Sequence, residues 1–471
     1  MIIACILLLA INVLCFTNII KITKKHWVAL WSLIIPHIYL ICVFLFKQNY
    51  PIVTNIIFTI LFVMLSLFIL IKYNIFPFSE KRTEDIRLNT LVGGRRLIFT
   101  SLYAALINII FFIFAFKYAE QLGFQLHFII TDLIISISFV LLLFLNGFWR
   151  ITILSRRLNI IKRVVFVFMI WVPIVNIVVA FIMCHAAKVE YDHELYKINQ
   201  NQWRIESKKC NTKYPLIMLH GVGFKDLKYL NYWGRIPKEL VKNGAKVYYG
   251  NQEAWGTIED NAADVKKKIL EIVEETGADK VNIIAHSKGG LDARYMISKL
   301  EMEDYVASLT TISTPHRGSF ILDFAYKLPA GLVRLIGKMI NKYFRTVGDK
   351  NPNFEVASKQ FLTENAKKFN EEVIDSEKVY YQSYASVMSH AYSDYILFVP
   401  FIIGRCFKEE NDGLVSPSSA QWGEFRGVIR TKTPRGISHG DMIDLRRNDY
   451  KGFDVREFYV DMVAELKDRG F

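Results

Sequence analysis

Apolar residues along this chain follow two different rhythms. Up to residue 186 they come in long runs, at roughly 2–20, 28–46, 52–71, 97–116, 127–148 and 164–184, separated by short charged loops. Each run is close to the ~20 residues a helix needs to cross about 30 Å of hydrocarbon. One such run also suits a buried helix of a soluble protein, but six in succession predict a membrane domain of six transmembrane helices over 1–186. Met1 leads directly into Ile-Ile-Ala-Cys, with no basic stretch and no small-x-small cleavage pattern. The first run is therefore read as a retained helix and not as a signal peptide. Pro36 and Pro173 fall inside the second and sixth runs, where a proline removes a backbone donor and kinks a helix.

The second rhythm begins after a polar linker, 187–212. From 213 to 471 short apolar runs alternate with amphipathic ones. Segments 214–220, 246–251, 280–285, 306–313 and 378–383 read as strands, and 235–243, 288–300 and 455–467 as helices. The helix at 258–276 is the clearest, because Ala262, Val265, Ile269, Ile272 and Val273 recur at three- and four-residue spacing and Gly277 stops it. This alternation predicts an α/β domain, a mostly parallel sheet with helices on both faces. Its length of about 260 residues suffices for one well-buried core. The stretch 318–348 stands apart, with Leu332, Ile336, Met339, Ile340, Tyr343 and Phe344 at helical spacing among Arg334, Lys338, Lys342 and Arg345. A buried helix carries fewer cations and a solvated one fewer large apolar groups. The stretch reads as a lid-like helical insertion or channel helix, with a core helix as the other reading.

Charge bears on orientation more than on partners. The net charge is +14, but residues 1–186 hold 16 Lys/Arg against 5 Asp/Glu and the remainder 42 against 39. The positive balance belongs to the membrane half, and no nucleic-acid partner follows from it. Lys21, Lys24 and Lys25 follow the first run; Lys72, Lys81, Arg82, Arg87, Arg95 and Arg96 surround the third loop. Arg150, Arg156, Arg157, Lys162 and Arg163 mark the fifth, whereas Lys47 and Lys117 stand alone in the second and fourth. Basic loops stay in the cytoplasm. With six crossings, the N-terminus and all of 187–471 are expected to be extracytoplasmic, in a multi-pass protein of the cell membrane. Asp132, near one end of its run, is expected at the interface or in a helix cap. Of six cysteines, Cys210 and Cys406 lie outside the apolar runs, as two free thiols or one disulfide.

Chemistry enters at Ala285-His-Ser-Lys-Gly289, between the strand 280–285 and the helix 288–300. A serine between small residues, at a strand-to-helix turn, is how an α/β-hydrolase lifts a hydroxyl above its sheet. Ser287 is the expected nucleophile. Upstream, His220-Gly221-Val222-Gly223 ends the first strand of the domain, where this fold turns a backbone N–H toward the substrate carbonyl. Val222 and Lys288 are the expected oxyanion-hole donors, with His220 shaping the loop. Downstream, Asp412 sits in a turn-rich segment and His439 in Ile437-Ser-His-Gly-Asp441. Taken singly, Asp412 also fits a turn cap and His439 a surface histidine. The chain order Ser287, Asp412, His439 joins them as the triad of this fold.

Residues 210–445 resemble the true lipases of bacteria, both the Pseudomonas–Burkholderia type and the larger staphylococcal–Bacillus type. The resemblance rests on Pro215-Leu-Ile-Met-Leu-His-Gly221, Ala285-His-Ser-Lys-Gly-Gly290, Thr314-Pro-His-Arg-Gly-Ser319, Asn411-Asp-Gly-Leu-Val-Ser416 and His439-Gly-Asp441. It implies the same triad and oxyanion hole. Ala285 replaces a glycine, Lys288 stands where methionine is usual, and the six apolar runs have no counterpart in those secreted enzymes. The resemblance also implies a structural calcium beside the histidine loop, with Asp441 matching one ligand and Asp394 the nearest candidate for a second. One carboxylate is insufficient for a cation that takes six to eight oxygens, and a surface carboxylate beside the histidine loop, or one salt-bridged to Arg446 or Arg447, is the other reading.

The expected function is hydrolysis of lipid or other acyl esters through an acyl-enzyme, at a bilayer, with no cofactor required. Two further readings remain: an extracytoplasmic acyltransferase using the same triad, and a non-catalytic membrane sensor or assembly protein.

Overall fold

The computed structural model describes residues 35–47, 51–77, 83–121, 123–158, 160–204, 208–223, 232–407, 409–431, 433–450 and 452–471. The chain divides into two compact units, Met1–Lys197 and Ile198–Phe471.

In the first unit the described helices are α1 (Ile38–Phe46), α2 (Ile52–Ile75), α3 (Ile86–Lys117), α4 (Leu126–Leu154), α5 (Ile160–Met169) and α6 (Val175–Arg204). Three of them, α2, α3 and α4, are long and apolar enough to cross a membrane, which suggests membrane association. The predicted run 2–20 and the start of the second lie outside the described residues. Helices α3 and α4 pack closely where two glycines meet: a Cβ on Gly147 would stand 2.6 Å from the Gly94 carbonyl oxygen. Asp132 is fully buried and caps a neighbour instead of its own helix, accepting from Leu40 N (3.3 Å) at the start of α1 and lying 2.6 Å from His37 Nδ1.

The sixth run is not one continuous helix. The chain leaves helical geometry after Met169, turns through 170–174 with Ile174 at φ 67°, and resumes as α6. Pro173 does more than kink the helix: it lies in a turn that separates two helices. The second of these runs through 187–204, which the polar composition assigned to a linker. Its direction is fixed by contacts with α3. Phe181 meets Phe99 at 6.0 Å between ring centroids, Cys184 Sγ lies 3.9 Å from the Arg95 carbonyl oxygen, and Glu190 accepts from Arg87. Numbers rise along α6 as they fall along α3. Hence α6 heads toward the end of the bundle where α3 begins.

The second unit contains β1 (Leu216–Leu219), α7 (Ile236–Lys242), β2 (Val247–Tyr249), α8 (Ile258–Thr276), β3 (Val281–His286), α9 (Gly289–Lys299), β4 (Val306–Ile312), α10 (Phe320–Ala325) and α11 (Ala330–Val347). It continues with α12 (Phe354–Lys359), α13 (Thr363–Glu372), β5 (Tyr380–Ser386), α14 (Phe398–Cys406), α15 (Pro417–Ala420), β6 (Glu424–Ile429) and α16 (Val455–Asp468). The six strands form one parallel sheet in the order β2-β1-β3-β4-β5-β6.

Side-chain alternation along the strands builds two cores. Leu216, Met218, Ile284 and Ile312 pack under α7 and α16 with Trp233, Leu240, Tyr459 and Val463. Ile217, Leu219, Ile283 and Leu309 pack under α8 and α9 with Val265, Ile269, Met296 and Ile297. Helix α8 has the limits its pattern predicts: Thr257 Oγ1 accepts from Asp260 N at 3.1 Å, and Gly277 takes the left-handed C-cap. The polar groups inside the sheet pair across adjacent strands. Ser308 donates to Asn282 Oδ1 (2.7 Å), and Gln382 Nε2 donates to Thr310 Oγ1 (2.8 Å).

Candidate active site

Strand order reverses across β1, which places a crevice at the carboxyl ends of β1 and β3. Ser287 stands there, at φ 53°, a left-handed backbone that serine adopts only under constraint. The constraint is local packing. A Cβ on Gly289 would sit 2.7 Å from the carbonyl oxygens of both Leu219 and His220, so the first turn of α9 lies directly on the end of β1. Gly221 is equally tight, since a Cβ there would come within 2.8 Å of Ser287 Cβ and of the Tyr232 hydroxyl.

Asp412 and His439 converge on this turn. His439 Nδ1 lies 2.9 Å from Asp412 Oδ2, and the His439 amide donates to the Asp412 carbonyl at 2.9 Å. The other carboxylate oxygen accepts from Leu414 N (3.0 Å) and Val415 N (2.9 Å), which fixes the acid in its turn. The His439 ring packs on His286, the residue before the nucleophile, at 4.3 Å between centroids. All three groups are nearly buried, with Ser287 8%, Asp412 1% and His439 7% exposed. Among the described residues no hydrogen bond joins Ser287 Oγ to His439, a separation common in ligand-free sites that tightens when substrate binds.

No described residue accepts from Val222 N–H or Lys288 N–H. His220 sets the first of these: its Nδ1 lies 2.8 Å from the Gly221 carbonyl oxygen, and in a planar trans peptide the Val222 N–H then points the opposite way. Its Nε2 reaches the Gln252 carbonyl oxygen at 2.9 Å. Burial pushes the His220 pKa down to about 4, so the ring shapes the loop as a neutral group. The Lys288 side chain turns away from the crevice to Asp292 Oδ1 (2.5 Å), and Asp292 also accepts from Asn261 Nδ2 (3.1 Å). Burial lowers the lysine pKa and, despite Lys288, lifts that of Asp292 to about 6.

The residues suggested for calcium are otherwise engaged. Asp441 receives Arg435 through both guanidinium nitrogens (2.5 and 3.1 Å) and Ser438 N at 2.9 Å. Asp394 receives Arg446, Ser438 Oγ (2.8 Å) and Ile396 N (3.1 Å). The two aspartates brace Ser438, next to His439, from two sides, and the cations they hold are guanidinium groups. Among the described residues no cluster of three His, Cys, Asp or Glu side chains could hold a metal ion. The residues present do not fit a calcium site. The salt-bridge reading is nearer, except that Asp441 takes Arg435, which the sequence did not suggest. Cys210 is a buried free thiol whose pKa burial raises to about 12, and Cys406 is free and exposed.

Sequence reasoning passed over His286, Tyr232, Arg435 and Ser438. His286, held at Nδ1 by the Tyr232 hydroxyl (2.7 Å), forms the floor under His439. Burial and the adjacent His439 drive its pKa well below the ordinary histidine value. Its position inside the pentapeptide was the one signal available.

A six-stranded parallel sheet with a strained serine after β3, an acid after β5 and a histidine before the last helix defines an α/β-hydrolase. Residues 214–400 match the family model described as the alpha/beta hydrolase fold. The chain is 30% identical over 269 residues to triacylglycerol lipase 2 of Saccharomyces cerevisiae, covering 53% of this chain and 77% of that protein. It is 30% identical over 250 residues to a triacylglycerol lipase of Vibrio cholerae, covering 46% and 76% respectively. Among solved structures it is similar to the Bacillus licheniformis lipase BlEst2 in mature form, at 23% identity and a TM-score of 0.40, over 50% of this chain and 88% of that one. The chain belongs to the alpha/beta hydrolase family.

Proposed function

We propose that this protein is a membrane-anchored serine hydrolase that cleaves lipid esters through an acyl-enzyme. The observation that carries the reading is the His439–Asp412 contact at 2.9 Å beside a serine held at φ 53°, with the Val222 and Lys288 N–H groups accepted by no described residue. Ser287 Oγ attacks the ester carbonyl and His439 Nε2 takes its proton; Asp412 keeps the Nδ1 proton in place and stabilises the imidazolium. The carbonyl oxygen, now negative, is met by Val222 N–H and Lys288 N–H, each worth roughly 3 kcal/mol in the transition state. His439 then protonates the departing alcohol and afterwards activates water. The substrate class is supported by the triacylglycerol lipases among the relatives and by α11. That helix leaves Leu332, Leu335, Ile336, Met339 and Tyr343 exposed, so it is not a core helix, and a surface of this kind can cover an acyl chain. The finer kinship, with the bacterial true lipases, is supported by the motifs around the triad.

A fluorophosphonate probe applied to membranes containing the full chain tests the reading. Labelling and ester hydrolysis are expected in the native protein, and both should vanish in Ser287→Ala. His439→Ala should lower hydrolysis by several orders of magnitude. An unlabelled native protein, or an active Ser287→Ala variant, would refute the proposal.

A further inference from the structure

The last two helices of the first unit bear on where the substrate comes from. Glu190 of α6 accepts from Arg87 Nη1, Ser155 Oγ (2.8 Å) and Arg156 N (2.9 Å). Arg87 also donates to the Leu154 carbonyl (3.0 Å), and Arg163 of α5 donates to the carbonyls of Leu158 (2.8 Å) and Ser155 (2.6 Å). One end of the bundle thus gathers the start of α3, the end of α4, the start of α5 and the middle of α6. Arg150 reaches the carbonyls of Asn74 and Ile75, adding the end of α2. The other end holds the loop between α3 and α4, where Lys47 donates to Gly123 O.

Lengths show how deep the chain goes between its two visits to the arginine-rich end. The ten residues of α5 rise about 15 Å, and the part of α6 before Glu190 measures about 22 Å. Both fall short of about 30 Å of hydrocarbon. The turn at 170–174 can lie inside the bilayer because its backbone is largely satisfied internally. The N–H groups of Ile170, Val172, Val175 and Asn176 bond to the carbonyls of Phe166, Met169, Pro173 and Val172, and Pro173 has no N–H to satisfy.

We infer that α5 and α6 form a re-entrant hairpin, so that the chain beyond Lys197 emerges on the side that holds Arg87, Arg156, Arg157 and Arg163. Basic residues mark the cytoplasmic side. The charge pattern read from the sequence is kept, while its conclusion reverses, because an even step has replaced an odd one. The catalytic residues are cytoplasmic, and the esters they cleave are those of the cytoplasmic leaflet. The choice of leaflet rests on the proposed ester hydrolysis; the side of the membrane does not.

Cysteine labelling of the full chain in intact cells tests this. Cys406 is a native exposed thiol, and Glu120→Cys adds one in the exposed α3–α4 loop. A membrane-impermeant maleimide, with sites resolved by mass spectrometry, should label position 120 in intact cells and Cys406 only after permeabilisation, with at least a tenfold difference in extent. Labelling of both sites in intact cells would mean that the hairpin crosses. Labelling of Cys406 alone would invert the bundle, and labelling of neither would place the α3–α4 loop inside; each result overturns the inference. Fluorophosphonate labelling of detergent-solubilised protein, measured in parallel, reports on the hydrolase reading separately. A catalytically silent protein with a protected Cys406 would remove the leaflet assignment and leave the topology standing.

Discussion

The contact between Gly289 and the end of β1 offers the most quantitative test of the site. In Gly289→Ala the new methyl would begin 2.7 Å from two carbonyl oxygens, those of Leu219 and His220, where ordinary contact starts at about 3.4 Å. Backbone oxygens at a strand end cannot swing away, so α9 and β1 must separate by about 0.7 Å. Overpacking of this kind costs roughly 1–3 kcal/mol, equivalent to a fall of roughly 2–12 °C in Tm for a domain of this size. The same shift moves Lys288 N–H away from Val222 N–H, and displacements approaching 1 Å cost on the order of 100-fold in rate. The expected result is a folded variant whose kcat on a soluble short-chain ester falls between about 10- and 100-fold. Gly331, at the start of α11, is the control: nothing lies within 4 Å of its Cβ position, and Gly331→Ala should leave kcat unchanged and stabilise the fold by at most about 1 kcal/mol. Thermal melts in detergent and steady-state kinetics measure both. A Gly289→Ala protein with wild-type kcat would refute the claim that this contact sets the oxyanion geometry.

Four further outcomes follow from other features. Replacing Ile336 and Met339 by Asp on the exposed face of α11 should depress hydrolysis of long-chain lipid esters much more than that of a soluble short-chain ester; equal retention of both activities would remove α11 from substrate handling. Arg435→Met leaves Asp441 buried without its cation and should cost on the order of 2–3 kcal/mol, between the values for surface and buried pairs. In the native protein, chelators should change neither Tm nor activity, and a chelator-sensitive Tm would mean that the aspartates hold a metal after all. His220 has a folded-state pKa near 4 against an ordinary 6.5, so native protein binds fewer protons than unfolded protein between these values and loses stability as pH falls through that window. The loss is worth about 3 kcal/mol, and His220→Gln should remove it from the pH dependence of Tm; an unchanged acid slope would count against a neutral buried His220.

The sheet and the triad were legible because their signals are local. Strands β1 and β3 are buried on both faces and read as mainly apolar runs, with Asn282 the polar interruption inside β3, and α8 carries its stripe and both caps within its own sequence. Strand β6 escaped notice because Glu424–Ile429 lies at the sheet edge, with Glu424 and Arg426 facing solvent among its apolar residues. Hydropathy marked 164–184 as long enough to span a membrane, but it counts apolar residues and cannot see that the chain leaves helical geometry between Met169 and Val175. The helical character of 187–204 was hidden by polar composition for the same reason. The bracing of the histidine loop was invisible because its partners are joined only by folding: Arg446 and Asp394 are 52 positions apart.

The polar pairs inside the sheet have a consequence for how the chain finds its register. A strand buried on both faces is tolerant of sliding by two residues, since each apolar side chain then lands among others like it. Such a slip between β3 and β4 would carry Asn282 away from Ser308, and one between β4 and β5 would part Thr310 from Gln382. Each error would strand polar groups beneath α7 and α16, at roughly 1–3 kcal/mol per unsatisfied group. These side chains therefore work as keys. They add little to the depth of the native state and instead penalise its nearest misaligned neighbours, so that the turn bearing Ser287 is presented at one height above the sheet.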